Sequence, residues 1–332
     1  MQDEQAGAGM PAYRVIQKGR IVNIGVDDLE SLVTHHPDAN VNARVVRGVV
    51  IDGEARKTHA VIGGEIEEVR SVERVTDTGA HEQRVLMKKD FMLEDSRIAS
   101  GSAGVRDVDV PAPFAGYIGQ AGGTYGTVDI YDRQGGTLLA RVLHLEPLNV
   151  RVGDQVEYGQ SLGTQDRTGL RETAGKHVHM KVDTAHHNAF ENYMSDLLDG
   201  RLSMDPARRT RGMDARVAND DGVVRVGESS DRVRDVQRHL NAEGFRDARG
   251  RELAIDGNYS LAMQPAVIRF QAAREVPQSG DLDAATLQHI PQPQRREVDR
   301  PDHRDRGFAP MGVGPFGTTT DPQVPARHPL HE

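Results

Sequence analysis

Between Val108 and Val182 the chain is divided by glycine into short runs of β-branched and aromatic residues, and this restricts the region to strands and tight turns. Val110-Pro111-Ala112-Pro113-Phe114-Ala115-Gly116-Tyr117-Ile118, then Gly122 to Tyr131, then Leu138 to Leu145 follow one another with glycine between them. That is the pattern of successive hairpins. Val152-Gly153-Asp154-Gln155-Val156 and Gly159-Gln160-Ser161-Leu162-Gly163 add further strands, their glycines allowing positive-φ corners. The expectation is a compact antiparallel β domain with little helix. Its last strand is the most informative for chemistry. In Gly175-Lys176-His177-Val178-His179-Met180-Lys181-Val182, a period of two places Val178, Met180 and Val182 on one face and both histidines on the other. Paired imidazoles suit a metal site or proton transfer near neutral pH. The same tripeptide also suits an exposed polar strand face in a chain with 14 histidines.

Composition narrows the chemistry. The 332 residues include no cysteine, which removes disulfides, thiolate nucleophiles and cysteine-based zinc sites and leaves His, Asp and Glu as ligands. A net charge of -9 argues against a general nucleic-acid binder. No stretch approaches the roughly 20 apolar residues of a membrane span. Residues 1–9 have neither a basic start nor an apolar core, so any export is expected to proceed without a Sec-type signal peptide.

Five regions are expected. Residues 1–82 form a β-rich segment of unknown role, with strands at Tyr13–Val15, Arg20–Ile24, Ala43–Val50, Ala60–Ile62 and Glu65–Val75. Within it, His35-His36-Pro37-Asp38 has a metal-like composition but reads as a solvated turn. Residues 83–203 are the β domain, closed by a helix from Asn188 to Leu198 in which Phe190, Tyr193, Met194 and Leu197 recur at helical spacing. Residues 204–222 are charged and poor in apolar residues, and read as a flexible linker. Residues 223–291 carry three amphipathic helices, marked by Val233, Val236 and Leu240, by Ala266, Val267 and Phe270, and by Leu282 to Ile290. Residues 292–332 are proline-rich without apolar periodicity and read as a disordered tail. The fold class expected is therefore multidomain β + α.

The β domain resembles the lysostaphin and LytM type of zinc endopeptidases, which cut peptide cross-bridges in bacterial peptidoglycan. Five ordered segments carry the resemblance. Val110 to Ile118 is similar to that family's V-x-A-P-x-x-G-x-V strand, and Gly123-Thr124-Tyr125-Gly126-Thr127-Val128-Asp129-Ile130 to its G-Y-G-N-x-V-x-I hairpin. Leu143-His144-Leu145 matches its H-L strand end, and Val152 to Gly163 its V-x-x-G-x-x-V-x-x-G-Q-x-I-G run. Thr168-Gly169 followed by Gly175 to Val182 resembles T-G-x-x-T-G-x-H-L-H-F-E-V. The resemblance implies a barrel-sandwich hybrid fold, His179 as a Zn2+ ligand, and His177 and His144 as catalytic residues that orient and activate water. The family takes its other two ligands from an H-x-x-x-D motif, but no His upstream of the Val110 strand is followed four residues later by Asp. Asp90 and Glu94 have that spacing and are the candidate substitutes, giving a site of Asp90, Glu94 and His179. The glycine-rich halves also look like biotinyl and lipoyl carrier domains, whose modified lysine sits at a tip between the halves. Lys181 lies beyond both.

Residues from Gly227 to Leu287 resemble the three-helix peptidoglycan-binding domain of cell-wall hydrolases, through Gly227-Glu228-Ser229-Ser230, Gln237, Asp256-Gly257-Asn258-Tyr259-Ser260, Phe270-Gln271 and Gly280-Asp281-Leu282-Asp283. Asp256, Tyr259 and Arg269 are its candidate binding residues. Val298-Asp299-Arg300-Pro301-Asp302-His303 resembles the junction before the secretion domain of antibacterial type IV effectors from Xanthomonas-like bacteria. That resemblance implies a type IV secretion machinery and a cognate immunity protein as partners, with action in the periplasm or on the cell wall. Together these readings describe a peptidoglycan hydrolase anchored on its polymer. The alternative is a catalytically degenerate peptidoglycan-binding or hydrolase-regulating protein with the same fold.

Overall fold

The computed structural model describes residues 12–18, 24–32, 43–51, 57–75, 81–98, 106–209 and 212–291. The strands are β1 (Tyr13–Gln17), β2 (Ile24–Gly25), β3 (Arg44–Val46), β4 (Val49–Ile51), β5 (Thr58–Ile62), β6 (Glu65–Val75), β7 (His81–Asp95) and β8 (Asp109–Pro111). They continue with β9 (Gly116–Gly122), β10 (Thr127–Tyr131), β11 (Leu138–Leu143), β12 (Leu145–Leu148), β13 (Gln155–Val156), β14 (Ser161–Gln165) and β15 (Val178–Asp183). Four α-helices follow, α1 (His187–Leu198), α2 (Asp231–Ala242), α3 (Gln264–Ala273) and α4 (Ala284–Leu287).

The β region is antiparallel, as the glycine-bounded runs predict. A large sheet runs β13-β9-β10-β11-β15-β7-β1-β2, with β6 also on β7 and β5 on β6, and β12-β14-β8 form a second sheet. Strand β7 is the hub. One of its edges pairs with β15 over Leu86 to Phe91; the other pairs with β6 over His81 to Met87 and with β1 over Phe91 to Asp95. The N-terminal segment is thus woven into the same sheet as the β domain. The core between the sheets and α1 holds Val110, Ile118, Val128, Val142, Leu162, Val178, Met180, Phe190 and Tyr193, all fully buried.

The helical module is not held at the end of a loose connector. Gln264 grips β5 like an extra strand: its Oε1 accepts from the Val61 N–H at 3.0 Å and its Nε2 donates to the Val61 carbonyl at 2.7 Å. The Gly63 N–H donates to Asp281 at 2.7 Å, and the Gly64 N–H to the Ser279 carbonyl at 2.9 Å. Gly227 lies so close to Val85 and Thr184 that a Cβ there would collide with both. The segment expected to be a flexible linker is itself fastened. Arg216 pairs with the fully buried Asp196 at 2.6 Å, and the buried Arg209 donates to Tyr13 Oη at 2.8 Å. Two of its arginines, Arg209 and Arg216, have buried acceptors, which composition alone does not reveal. The tail expected to be disordered lies outside the described residues, as does His35-His36-Pro37-Asp38. Among the described residues no helix is long and apolar enough to cross a membrane.

Candidate active site

The alternation read from the sequence is present in β15. Val178, Met180 and Val182 are buried in the core, and His179 and Lys181 face the other side, with His177 just before the strand. The register then sets His179 opposite Asp90 on β7 and opposite Leu143 on β11. Directly opposed residues point to the same face of a sheet, so Asp90 becomes the nearest acid to the histidines.

His144 enters at the end of β11 with φ 67°, a left-handed conformation uncommon for any residue but glycine. Two backbone bonds hold it there: its N–H donates to the Tyr125 carbonyl at 2.8 Å, and its carbonyl accepts from the Asp166 N–H at 2.7 Å. Gly126 makes this close approach possible, since a Cβ there would strike the Leu145 carbonyl. The ring centroids of His144 and His177 are 4.8 Å apart, and those of His144 and His179 6.0 Å. With Tyr125, Leu143, Leu170 and Lys18 they line a cavity of about 610 Å³.

The hydrogen bonds fix which nitrogens carry protons. A carbonyl only accepts, so His144 donates through Nδ1–H to the Thr168 carbonyl and His177 through Nδ1–H to the Gly175 carbonyl, both at 2.8 Å. Burial pushes the His177 imidazole down to about 4, against the opposing pull of Asp90. His177 is therefore neutral at pH 7, with Nε2 as its acceptor nitrogen. That Nε2 lies 3.2 Å from Asp90 Oδ1, and His179 Nδ1 lies 3.7 Å from the same oxygen. A lone pair facing a carboxylate needs a donor or a cation nearby. Lys18 provides one, with Nζ 3.3 Å from His177 Nε2 and 3.7 Å from Asp90 Oδ2.

Glu94 does not join this group. It is buried and pairs with Arg14 at 3.1 Å, its cross-strand neighbour on β1. Residues four apart are neighbours on a helix, but on a strand they are about 13 Å apart. The spacing that suggested a joint site with Asp90 therefore separates the two carboxylates. If Asp90 is taken as the Asp of the H-x-x-x-D pattern, the position of its His is filled by Leu86, which is buried. A catalytic zinc takes three protein ligands, and the described residues bring together only Asp90 and His179 in that role. Among the described residues no group of three or more His, Asp or Glu side chains forms a metal cage. They do not complete a zinc site. Lys18 was missed in the sequence because Gln17-Lys18-Gly19 carries no motif; only the β1 to β7 pairing brings it to Asp90.

The candidate binding residues of the module each make hydrogen bonds within the protein. Asp256 Oδ1 accepts from Gln237 Nε2 and from the Asn258 N–H, both at 2.8 Å. Tyr259 is fully buried and its hydroxyl donates to the Gly280 carbonyl. Arg269 donates to the Arg47 carbonyl at 3.2 Å.

Residues 101–191 match the sequence profile described as "Peptidase family M23", and residues 229–290 match "Putative peptidoglycan binding domain". The chain carries a peptidase family M23 domain and a peptidoglycan-binding domain. His144, His177 and His179 lie within the first match, while Lys18 and Asp90 precede it. Among solved structures, LytU is similar at 18% identity over 39% of this chain and 74% of that one, with a TM-score of 0.22. The catalytic domain of the antimicrobial peptidase lysostaphin from Staphylococcus simulans is similar at 22% identity over 39% and 80%, TM-score 0.22. A structure titled "putative peptidase M23" from Pseudomonas aeruginosa is similar at 17% identity over 39% and 83%, TM-score 0.22. No curated protein matches the chain.

Proposed function

We propose that this protein is a peptidoglycan hydrolase whose M23 domain cleaves peptide cross-links while its second domain holds the polymer. The observation that supports this reading best is the convergence of His144, His177 and His179 on one cavity, with the buried Asp90 behind them, in a chain that also matches a peptidoglycan-binding domain. His144 and His177 each commit Nδ1–H to a backbone carbonyl, which turns Nε2 into the proton-accepting nitrogen. Such a group within reach of a water beside the scissile carbonyl takes its proton and later returns it to the leaving amine. His179 lines the cavity, and the buried Asp90 lies behind it with Oδ1 3.7 Å from His179 Nδ1. Zinc enters this reading as a measurable claim, with His179 as one ligand by resemblance, Asp90 beside it, and the third ligand of such a site not among the described residues. The place of action is the periplasm or the cell wall. The proposed secretion machinery and immunity protein rest on residues 298–303, which lie outside the described residues.

A second reading is supported by Lys18. A primary ammonium beside Asp90 suits a domain that binds peptidoglycan without cutting it. Metal analysis of the purified protein, with peptidoglycan digestion before and after chelation, separates the two. Stoichiometric zinc and chelator-sensitive release of peptides are expected from the first reading; absence of both leaves the second. In the first, His179→Ala removes zinc and cleavage together, whereas His177→Ala keeps the metal and slows turnover.

A further inference from the structure

The face of the large sheet that carries the histidines continues past them, and its character changes. Moving along β15 away from His179, the next residue on that face is Lys181, opposed by Lys88 on β7 and Arg141 on β11. The one after is Asp183, opposed by Leu86, which is itself opposed by Arg70 on β6. Here the surface opens into a separate cavity of about 430 Å³. Its walls bring together Arg70, Arg84, Arg133 and Arg141 against Glu73 and Asp183, with Leu86 and Leu138 forming an apolar floor. Counted with Asp129 and Asp132 beside the lining, four guanidiniums here meet four carboxylates.

The four arginines are not equally engaged. Arg141 is held by Asp129 through two bonds of 2.6 Å, and Arg84 by Asp183 at 2.8 and 2.9 Å. Arg133 pairs only with its exposed neighbour Asp132 at 2.9 Å, and its side chain is 59% exposed. Arg70 is exposed and has no ion pair among the described residues. Two guanidiniums are thus fixed as walls and two can turn toward a ligand. Tyr131, another wall residue, lies against Gly119, where any side chain would collide with its ring.

We propose that this arginine-walled cavity binds a carboxylate of the peptide substrate, presented by an extended chain lying along the sheet from the histidine cleft. His179 and Asp183 are four strand residues apart, about 13 Å. An extended peptide spans that distance in about four residues, so the carboxylate recognised lies that far from the bond at the histidines. Guanidinium groups suit this task because their fork matches a carboxylate in two parallel bonds. The inference takes from the peptidase reading only that a peptide occupies the cleft.

The test measures binding rather than turnover. The full chain carrying His179→Ala is titrated into fluorescein-labelled Ala-Glu-Lys-Ala-Ala with free carboxylates, and into the Gln-containing, C-terminally amidated counterpart, at low salt. The acidic peptide is expected to bind about tenfold more tightly, and adding R70Q with R133Q is expected to bring the two peptides within about twofold while leaving the amide's affinity unchanged. Equal affinity for the two peptides, a preference that survives R70Q with R133Q, or no binding of either at about 1 mM overturns the proposal. If the acid preference holds but the unmutated chain fails to cut peptidoglycan, the peptidase reading falls and the carboxylate site stands.

Discussion

The histidine cleft and the helical module both bury polar side chains and dispose of them in different ways. In the module, Gln271 accepts from the Gly280 N–H at 3.1 Å and donates to the Asp281 carbonyl at 2.8 Å and to Thr286 Oγ1 at 2.9 Å. Gln237 and Gln264 are likewise tied to backbone atoms of neighbouring segments. In the cleft, Lys18, Asp90, His177 and His179 approach one another instead, side chain to side chain, at the wall of a cavity. Polar groups bonded to backbone lock a loop in place, whereas ionisable groups gathered together exchange protons with whatever enters. Where a buried side chain sends its hydrogen bonds separates structure from chemistry better than its residue type does.

The sharpest way to break this contrast is to exchange its consequences. Asp90→Ala is expected to lower cleavage of peptidoglycan by at least about 100-fold while leaving the unfolding midpoint in urea nearly unchanged. A loss of folding with it would make Asp90 a structural residue like those of the module.

Next in size is Asp281, a module acid whose burial is incompletely offset. Burial holds its carboxyl up at about 7, well above the ordinary carboxylate range, despite the Gly63 N–H bond. Because the folded state holds this proton more tightly than the unfolded state, the group's contribution is most favourable below about pH 4 and is lost as pH rises through 7. Asp281→Asn keeps an acceptor for Gly63 and removes the charge. It is expected to match the parent below pH 4 and to be more stable by roughly 2–4 kcal/mol at pH 8, read from urea unfolding at the two pH values.

Gln271→Ala, which leaves several buried partners without a bond, is expected to cost about 2–3 kcal/mol without altering cleavage by the folded fraction. Tyr259→Phe removes only the hydroxyl bond to Gly280 and is expected to cost about 1 kcal/mol. A selective loss of peptidoglycan binding in Tyr259→Phe, with stability intact, would restore it as a binding residue.

Much of this was legible in the sequence where a short-range rule applied. The glycine-bounded runs gave the antiparallel strands, and the alternation of Val178, Met180 and Val182 gave the face on which His179 stands. The helix expected at Asn188–Leu198 is His187–Leu198, and the module's helices fall where their apolar positions recur. What escaped depends on long-range pairing. Asp90 meets His179 because β7 and β15 share a register, and Lys18 meets Asp90 and His177 from the end of β1; neither is written in a local pattern. Glu94 shows the converse, since its spacing from Asp90 has a different meaning on a strand than on a helix. The connector read as flexible because its arginines were visible and their buried partners, Asp196 and Tyr13, lie far away along the chain.

Strand β7 carries Asp90 near one end, and its other half pairs with β6, whose hairpin with β5 is gripped by Gln264 and Asp281 of the module. A wall polymer held by that module is therefore presented to the histidines by a stiff spar rather than a tether. A tether samples every cross-link within its reach; a spar of fixed length selects those that fall at one offset along the polymer. On the proposed reading, a molecule built this way would measure distance on its substrate as well as hold it.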